Sequence, residues 1–294
     1  MLYTIFYNLI KKLKLFLTNK NSNEVLSKIY LEKLYDKIKK SNVNQYALKG
    51  FKVYSQNDED GIIEAIFNDI GTTNKIFCEI GVGDCIENNT HYLLLKDWRG
   101  LWIDAKSKHI RKLKKKINNN QKILDLKIKK IDKSNINKII KESTIPNYSL
   151  DGEIDFLSID IDSYDLDCVE CLDFLKPRLI CIEYNAKFNF NIKLQIKKIN
   201  NFNWQYDDYF GSSLGIINEK LENIGYSLIA TNISGCNAFF VKKNLLSKCV
   251  TKDQNIEQLY LPPNIDLFNY NVAHAPSNKY LLDKLNVKKN LNSY

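Results

Sequence analysis

From Lys75 onward, short and nearly continuous apolar runs alternate with stretches of helical periodicity. Such runs predict strands that are buried on both faces, because a half-exposed strand alternates apolar and polar residues. Alternation of strands with helices favours a mostly parallel sheet with helices on both faces. The last two runs lie close together in the chain and predict an antiparallel hairpin. The expected strands are residues 75–81, 100–105, 122–128, 154–161, 177–185, 226–232 and 237–243.

The chain divides into three parts by periodicity. Residues 1–45 predict a helical extension, residues 46–250 the α/β domain, and residues 251–294 a tail that wraps the surface. Residues 1–20 are amphipathic, but their apolar run is too short and too interrupted by lysine to span a membrane. This segment suits packing on its own domain or on a second copy of the chain, which favours a homo-oligomer. Peripheral membrane contact is the alternative.

The net charge of +9 comes with 43 Lys and Arg residues, of which only three are arginines. Proteins that read nucleic acids rely on arginine, because its planar fork matches phosphates and base edges. The composition therefore argues against a nucleic-acid partner. The seven cysteines are odd in number, and several lie inside apolar runs. Together with the absence of a recognisable signal-peptide pattern, they favour free thiols in a reducing cytoplasm.

The loop after the first expected strand reads CEIGVGDCIENNT. Gly81 and Gly83 let the backbone approach a ligand closely, and ligands of open α/β sheets bind at the carboxyl ends of strands. The loop lacks the third glycine of the dinucleotide fingerprint and the Gly-Lys-Ser/Thr of a phosphate loop. Asp104 ends the second strand, where a carboxylate can accept both hydroxyls of a ribose. These features predict an adenosine ligand without phosphates. The alternatives are a tight turn for the glycines and a helix N-cap for Asp104.

These segments resemble the FkbM-like group of S-adenosylmethionine-dependent methyltransferases. The resemblance covers about residues 50–243, in order along the chain. It is carried by YSQNDEDGII (54–63), EIGVGDCIENNT (79–90), WRGLWIDA (98–105), FLSIDIDSYD (156–165), RLICIEYN (178–185) and the segment 209–241. It implies a Rossmann-like methyltransferase fold, which is an α/β fold with a mostly parallel seven-stranded sheet and an antiparallel last strand.

The same resemblance implies where S-adenosylmethionine binds. The glycine loop would hold the methionine part of the cofactor, Asp104 would hold the ribose, and residues 56–57 would close over the site. The implied cofactor-binding residues are Gln56, Asn57, Glu79, Gly81, Gly83, Asn89, Thr90 and Asp104.

Acidic side chains follow the fourth and fifth expected strands. Successive strand residues alternate faces, so Asp160 and Asp162 point to the same side if the extended structure continues. Two carboxylates this close repel each other unless a proton or a cation lies between them. With Glu183 and Asn185 after the neighbouring strand, they form a set of oxygen ligands suited to Mg²⁺ or a similar divalent ion. Their location and types are similar to those of metal-dependent O-methyltransferases that act on sugars and catechols.

Candidate catalytic residues come from the same region. A divalent cation helps an acceptor hydroxyl to lose its proton, with Asp160 among the candidates that hold it. Asp162 or His91 is then the candidate base that takes the proton. Each has a structural alternative, since Asp162 can cap the following helix and His91 can be a packing residue. Asp165 suits the first turn of that helix, where an acid favours the helix dipole.

The segment 185–213 is rich in aromatic residues and longer than ordinary loops. Aromatic rings stack on sugars or bases, and lysines attract phosphate. The segment therefore predicts a substrate lid, with a second small core or a dimer contact as alternatives. The candidate substrate-binding residues are Tyr184, Lys187, Phe188, Trp204, Tyr206, Asp207 and Tyr209.

These features together predict a cytoplasmic O-methyltransferase that uses S-adenosylmethionine. The resemblance implies that its acceptor is a sugar hydroxyl, used for capsule or other surface polysaccharide. A nucleotide-activated sugar is the expected form, because a basic pocket suits a diphosphate. Two alternatives remain at this level. The motif Asp160-Ile161-Asp162 has the Asp-x-Asp pattern of metal-dependent glycosyltransferases, and the chain also suits a non-catalytic subunit that pairs with an active partner through residues 1–45.

Overall fold

The computed structural model describes residues 26–117, 123–145, 152–172, 174–197, 204, 207–251, 255–264 and 277–287. One sheet organises this part of the chain, with its strands in the order β3-β2-β1-β4-β5-β7-β6. The strands are β1 (Ile76–Ile80), β2 (Arg99–Asp104), β3 (Leu124–Ile128), β4 (Glu153–Ile159), β5 (Lys176–Glu183), β6 (Tyr226–Thr231) and β7 (Asn237–Lys242). All neighbouring strands are parallel except where β7 pairs with β5 and β6. The predicted fold class is confirmed.

Helices cover both faces of the sheet. They are α1 over residues 26–41, α2 (Glu59–Ile70), α3 (His91–Leu95), α4 (Ser107–Lys114), α5 (Ile136–Lys141), α6 (Asp165–Glu170), α7 (Leu214–Asn223), α8 (Ile256–Leu259) and α9 (Lys279–Val287), with short 3-10 helices at Gln45–Lys49 and Lys243–Lys248. The core on one face includes side chains of α5, α6 and α7. The core on the other face includes side chains of α2, α3, α4 and α9.

The apolar runs of the sequence form strands because the sheet has no solvent-facing side. Every residue of β1 and of β6 is buried, which explains why neither strand alternates with polar residues. In β1, Cys78 faces one core and Phe77 faces the other. The β6–β7 hairpin supplies the antiparallel strand, since its connection over residues 232–236 is too short for a crossover helix.

The strand order places a ligand-binding edge between β1 and β4. From β1 the chain proceeds outward through β2 to β3, whereas β4 and β5 lie on the other side of β1. This reversal of the strand order is the position at which open α/β sheets bind ligands, outside the carboxyl ends of the strands. The candidate site described below lies at this edge.

The described part of the predicted N-terminal extension packs on the domain. Ile38 of α1 is buried in a small cluster with Ala47, Ile233 and Leu261. The side chain of Asn44 donates to the carbonyl of Thr231 at 3.1 Å. The amphipathic segment 1–20 lies outside the described residues, and none of the helices within them is long and apolar enough to cross a bilayer.

The described parts of the predicted C-terminal tail contribute to the cores. Leu259 of α8 joins the core of α5 to α7, and Leu281 and Leu285 of α9 join the core on the opposite face. The division of the chain at residues 45 and 250 stays a prediction.

Candidate active site

The turn after β1 is pinned between the two strands that flank it. The backbone N–H of Gly81 donates to the carbonyl of Ile103 at 2.8 Å, and that of Asp160 donates to the carbonyl of Ile80 at 2.9 Å. Gly81 has φ +94°, and a Cβ added there would lie 1.6 Å from the carbonyl oxygen of Asp160. Only glycine fits this close approach of backbone to backbone.

Gly83 has a different environment. Its φ is +54°, and an added Cβ would meet nothing within 4 Å. Its N–H donates to Oδ2 of Asp104 at 2.8 Å, which ties the turn to the end of β2. The turn is therefore closed at Gly81, where it meets the backbone of Asp160, and open at Gly83.

Asp104 keeps acceptor capacity after its bonds to the protein are made. Its Oδ2 accepts from Gly83 and its Oδ1 accepts from the backbone N–H of Lys106 at 2.5 Å. A carboxylate offers about four lone-pair positions, so about two remain for hydroxyl groups. The N-cap position of α4 is Lys106, so Asp104 is not the cap of that helix. The N-cap alternative is thereby excluded, and the carboxylate is 9% exposed at the crevice.

Glu79 supports the glycine turn from inside. Its carboxylate is 3% exposed and accepts from the side chain of Asn88 at 2.7 Å, the N–H of Asn89 at 2.8 Å and the N–H and hydroxyl of Thr90. Burial raises the pKa of Glu79 to about 7. The side chain of Asn89 donates to Ser158 at 3.0 Å. Three of the predicted cofactor-binding residues, Glu79, Asn89 and Thr90, thus form hydrogen bonds within the protein that fix the shape of the loop.

The segment before α2 lies beside this loop, where the sequence analysis expects it. Oδ2 of Asp60 accepts three backbone N–H groups, those of residues 53–55, at 2.6–2.8 Å. The N–H of Asn88 donates to the carbonyl of Tyr54 at 3.0 Å. Gln56 is exposed and Asn57 is buried, with its N–H on Glu59. Of the two predicted closing residues, Gln56 is the one whose side chain is free to reach a ligand.

Three carboxylates meet at the ends of β4 and β5. One oxygen each from Asp160, Asp162 and Glu183 lies within 4.8 Å of the others, and each side chain keeps some exposure to solvent. Among the described residues, none of the three accepts a hydrogen bond, and Oε2 of Glu183 is buried without a partner. Burial first, and then the neighbouring carboxylates, raise the pKa of Asp160 and of Glu183 well above their usual values. Such a set is suited to a hard divalent cation.

The two aspartates meet for a reason that differs from the prediction. β4 ends at Ile159, and Asp162 has φ +54°, so the chain does not continue extended. Asp165 shapes this turn, since its carboxylate accepts from the N–H of Ile161 at 2.7 Å and of Ser163 at 3.1 Å. Asp165 therefore holds the loop that presents Asp162.

Two residues predicted for the site are committed elsewhere. The side-chain NH₂ of Asn185 donates to the carbonyls of Asp208 and Phe210 at 2.9 and 3.1 Å, and its Oδ1 accepts from the N–H of Lys187 at 3.3 Å. The fourth predicted metal ligand is therefore a clamp on the segment 208–210. Tyr184 is 1% exposed, and its hydroxyl donates to the carbonyl of Leu261 at 2.7 Å. The side chain of Tyr184 is therefore part of the core.

The predicted lid is described in part. A cavity of about 130 Å³ lies within it, with Phe188 and Tyr209 among its lining residues. Lys187 pairs with Asp208 on the surface, the indole N–H of Trp204 donates to the carbonyl of Asp207 at 2.7 Å, and Tyr206 lies outside the described residues.

His91 is enclosed. It is fully buried, its ring stacks on Tyr54 at 3.9 Å between centroids, and Nδ1 lies 3.1 Å from the carbonyl of Ile86. Burial lowers the pKa of His91 to about 4, so the ring is neutral at pH 7. This geometry supports the packing alternative for His91 over a catalytic role.

Lys106 is a site residue that the sequence analysis missed. Its ammonium lowers the pKa of Asp162 against the dominant effect of burial, which raises it. Its backbone N–H holds Asp104, so one residue links the end of β2 with the loop after β4. The sequence carried one signal for this role, since Lys106 is a cationic residue two positions after Asp104, the acid that ends β2.

The comparisons with known proteins concern the fold alone. No protein-family model and no curated protein matches the chain. Similar solved structures include an O-methyltransferase from Bacillus cereus with S-adenosylhomocysteine, at 15% identity over 71% of this chain and 90% of that chain, with a TM-score of 0.40. They also include a glycopeptide N-methyltransferase with S-adenosylmethionine, at 13% identity over 61% and 86%, with a TM-score of 0.34. A third is spermidine synthase from Thermotoga maritima, at 12% identity over 81% of this chain and 76% of that chain, with a TM-score of 0.35.

The two glycines give a matched test of the turn. Gly81→Ala places a methyl group inside the backbone of Asp160, so we expect a loss of at least about 4 kcal/mol in the free energy of unfolding, or no folded protein. Gly83→Ala meets open space and should cost only about 1–2 kcal/mol for its left-handed backbone. Urea unfolding measures both. Equal losses in the two variants would contradict the close approach.

Burial of neutral His91 predicts a pH dependence. In the unfolded chain His91 binds a proton once the pH falls below its ordinary pKa of 6.5. In the folded chain it binds that proton only near pH 4. Stability is therefore lost as pH falls through this window, by about 3 kcal/mol from this residue. His91→Phe should remove that component, whereas the control His109→Gln should keep it. Unfolding free energies at several pH values measure it, and parallel curves for wild type and His91→Phe would refute the assignment.

Proposed function

We propose that the protein is an S-adenosylmethionine-dependent O-methyltransferase. The observation that carries the proposal is the carboxylate of Asp104, which lies beside an open glycine turn and keeps about two lone-pair positions free. Two adjacent hydroxyls of a ribose suit those positions. The turn is open at Gly83, which offers room for the rest of an adenosine ligand. It has no phosphate-binding lysine and no third glycine.

The donor half of the proposed site is rigid before the ligand binds. Glu79 and Asp60 fold the loops around Asp104 by accepting backbone N–H groups, so the turn keeps its shape. A preformed pocket lowers the entropy lost on binding and aligns the sulfonium methyl group with the acceptor oxygen. Gln56 is exposed at the same edge and is the residue we assign to closing over the donor.

The cluster of Asp160, Asp162 and Glu183 is where a divalent cation such as Mg²⁺ fits. The fit rests on three unpaired carboxylates within 4.8 Å and on the buried, partnerless Oε2 of Glu183. When bound, such an ion would supply positive charge that favours the ionised form of an acceptor hydroxyl. The three side chains themselves hold and orient that charge.

Asp162 is the proposed general base. Burial raises the pKa of Asp162, and the nearby ammonium of Lys106 opposes that rise. A raised pKa makes a carboxylate a better proton acceptor. Its left-handed backbone and the hold of Asp165 on the loop fix its direction. His91 has no access to the crevice in this geometry and is given no role in proton transfer.

A sugar hydroxyl is the proposed acceptor, on a nucleotide-activated sugar that is used for capsule or other surface polysaccharide. The cavity of about 130 Å³ near the end of β5 supports it, because its aromatic lining by Phe188 and Tyr209 suits a sugar ring. A cytoplasmic setting and a homo-oligomer are part of the same proposal.

A glycosyltransferase is the second candidate, since Asp160 and Asp162 lie together as its Asp-x-Asp motif requires.

Calorimetric titration with S-adenosylhomocysteine tests the donor site. We expect micromolar binding by the wild type, and a loss of about tenfold to a hundredfold for Asp104→Asn, because hydrogen bonds to a charged group are lost. Asp36→Asn on the exposed face of α1 removes the same charge elsewhere and should bind as the wild type does. Absence of binding by the wild type would rule out the methyltransferase, and binding of UDP or GDP instead would favour the glycosyltransferase.

Thermal unfolding with and without Mg²⁺ or Mn²⁺ tests the carboxylate cluster. At a hundredfold excess over its dissociation constant, a bound ion should stabilise the wild type by about 2.7 kcal/mol. Asp160→Asn and Glu183→Gln should lose this gain, and each should be more stable than the wild type without metal because one repelling charge is gone. Asp283→Asn on α9 is the control and should keep the gain. The same shift in all four proteins would show that the ion binds elsewhere.

A further inference from the structure

The positive charge of the chain is concentrated in one short segment. Residues 106–116 contain seven Lys and Arg residues and no Asp or Glu. The whole chain has 43 Lys and Arg against 34 Asp and Glu, so outside this segment 36 cationic side chains face 34 anionic ones. The net charge of +9 is therefore mostly a local property of α4 and the residues next to it.

The structure turns this charge outward. Ile110 and Leu113 of α4 are buried in the core, with exposed fractions of 0% and 3%. The exposed cationic side chains are Lys106, Lys108, Arg111, Lys112, Lys114, Lys115 and Lys116. Within the described part of the chain none of these seven forms an ion pair, and no large apolar side chain is exposed between residues 105 and 116. We call this surface the α4 basic face.

The α4 basic face lies at one edge of the molecule. α4 packs against β3, which is the edge strand of the sheet. The helix begins three residues after Asp104, so the face adjoins the crevice at the carboxyl ends of the strands. The lysines of α1 lie at the opposite edge, because the segment after α1 packs on β6.

We propose that the α4 basic face docks the protein on a bilayer that contains anionic phospholipids. A group of four to eight Lys or Arg on an amphipathic helix is the pattern that anionic headgroups attract. The face has no exposed large apolar side chain to insert, so the attraction is electrostatic. Six of the seven cationic residues are lysines. A lysine ammonium attracts the phosphate of a lipid headgroup as a point charge and does not require one fixed orientation of that phosphate.

A nucleic acid fits this face less well. Binding of single strands uses aromatic side chains on which bases stack, and sequence reading in duplexes uses arginine. The α4 basic face has no exposed aromatic side chain and one arginine, Arg111. Docking on a bilayer would also bring the crevice beside Asp104 close to the membrane, where an acceptor carried on a lipid is within reach. The docking itself does not depend on the proposed methyl transfer.

Sedimentation of the full-length protein with vesicles tests the proposal. The probes are vesicles of phosphatidylcholine alone and of phosphatidylcholine mixed with phosphatidylglycerol, at low and high salt. One variant carries three substitutions on the α4 basic face, and a control variant carries three on α1. The substitutions are Lys112→Gln, Lys115→Gln and Lys116→Gln for the test, and Lys37→Gln, Lys39→Gln and Lys40→Gln for the control.

We expect the wild type to sediment only with the vesicles that contain phosphatidylglycerol, and to be released at high salt, since about 1 M salt shortens the screening length to about 3 Å. The α4 variant should bind about a hundredfold more weakly, at about fivefold for each lysine, and the α1 control should bind as the wild type does. All six lysines are exposed, so both variants should keep the thermal midpoint of the wild type.

Three results would overturn the proposal. Equal binding to neutral vesicles would point to apolar insertion by another segment. Equal losses in the two variants would make the effect one of net charge. Tight binding to an oligonucleotide at salt concentrations that release the vesicles would assign the α4 basic face to nucleic acid.

Discussion

The buried carboxylate of Glu79 is the interaction on which the candidate site depends. A charge at the end of a central strand is costly to bury unless donors surround it. The chain supplies those donors by turning back after the glycines, so that the side chain of Asn88, the N–H of Asn89 and the N–H and hydroxyl of Thr90 all donate to this one side chain. The shape of the loop is therefore a consequence of satisfying Glu79. Thr90 extends the arrangement, because its hydroxyl also accepts from the indole of Trp102 at 2.7 Å in the next strand.

The same device recurs at the other loops of this edge. Asp60 gathers the segment before α2, Asp104 joins the glycine turn to β2, and Asp165 holds the loop after β4. Each accepts at least two backbone N–H groups. Asp160, Asp162 and Glu183 contrast with them, since no described residue donates to them. The acids of this edge therefore fall into two groups. Those that accept backbone N–H groups fix the loops, and those that accept none are available to a ligand or a cation.

Much of the fold was predictable from the sequence, because burial on both faces makes each strand a continuous apolar run. All seven strands and the β6–β7 hairpin lie where these runs predicted them, within about two residues, which is the usual uncertainty at the ends of elements. The predicted site residues were harder, because their roles depend on partners far along the chain. The hydroxyl of Tyr184 donates to the carbonyl of Leu261 in the core, and the side chain of Asn185 donates to carbonyls of the segment 208–210. A residue at the end of a predicted strand can be expected near the site. The sequence does not show which distant residue its side chain will contact.

The two halves of the site therefore differ in how they are stabilised. The proposed donor half, around Asp104, is held by Glu79, Asp60 and Asp104, each of which accepts at least two backbone N–H groups. The acceptor half, around Asp160, gathers like charges whose repulsion weakens the folded state until a proton, a cation or a ligand relieves it. Local instability of this kind is common at functional sites, because charges that repel one another in the free protein can bind a ligand of opposite charge. The glycine turn joins the halves, since Gly81 lies directly against the carbonyl of Asp160.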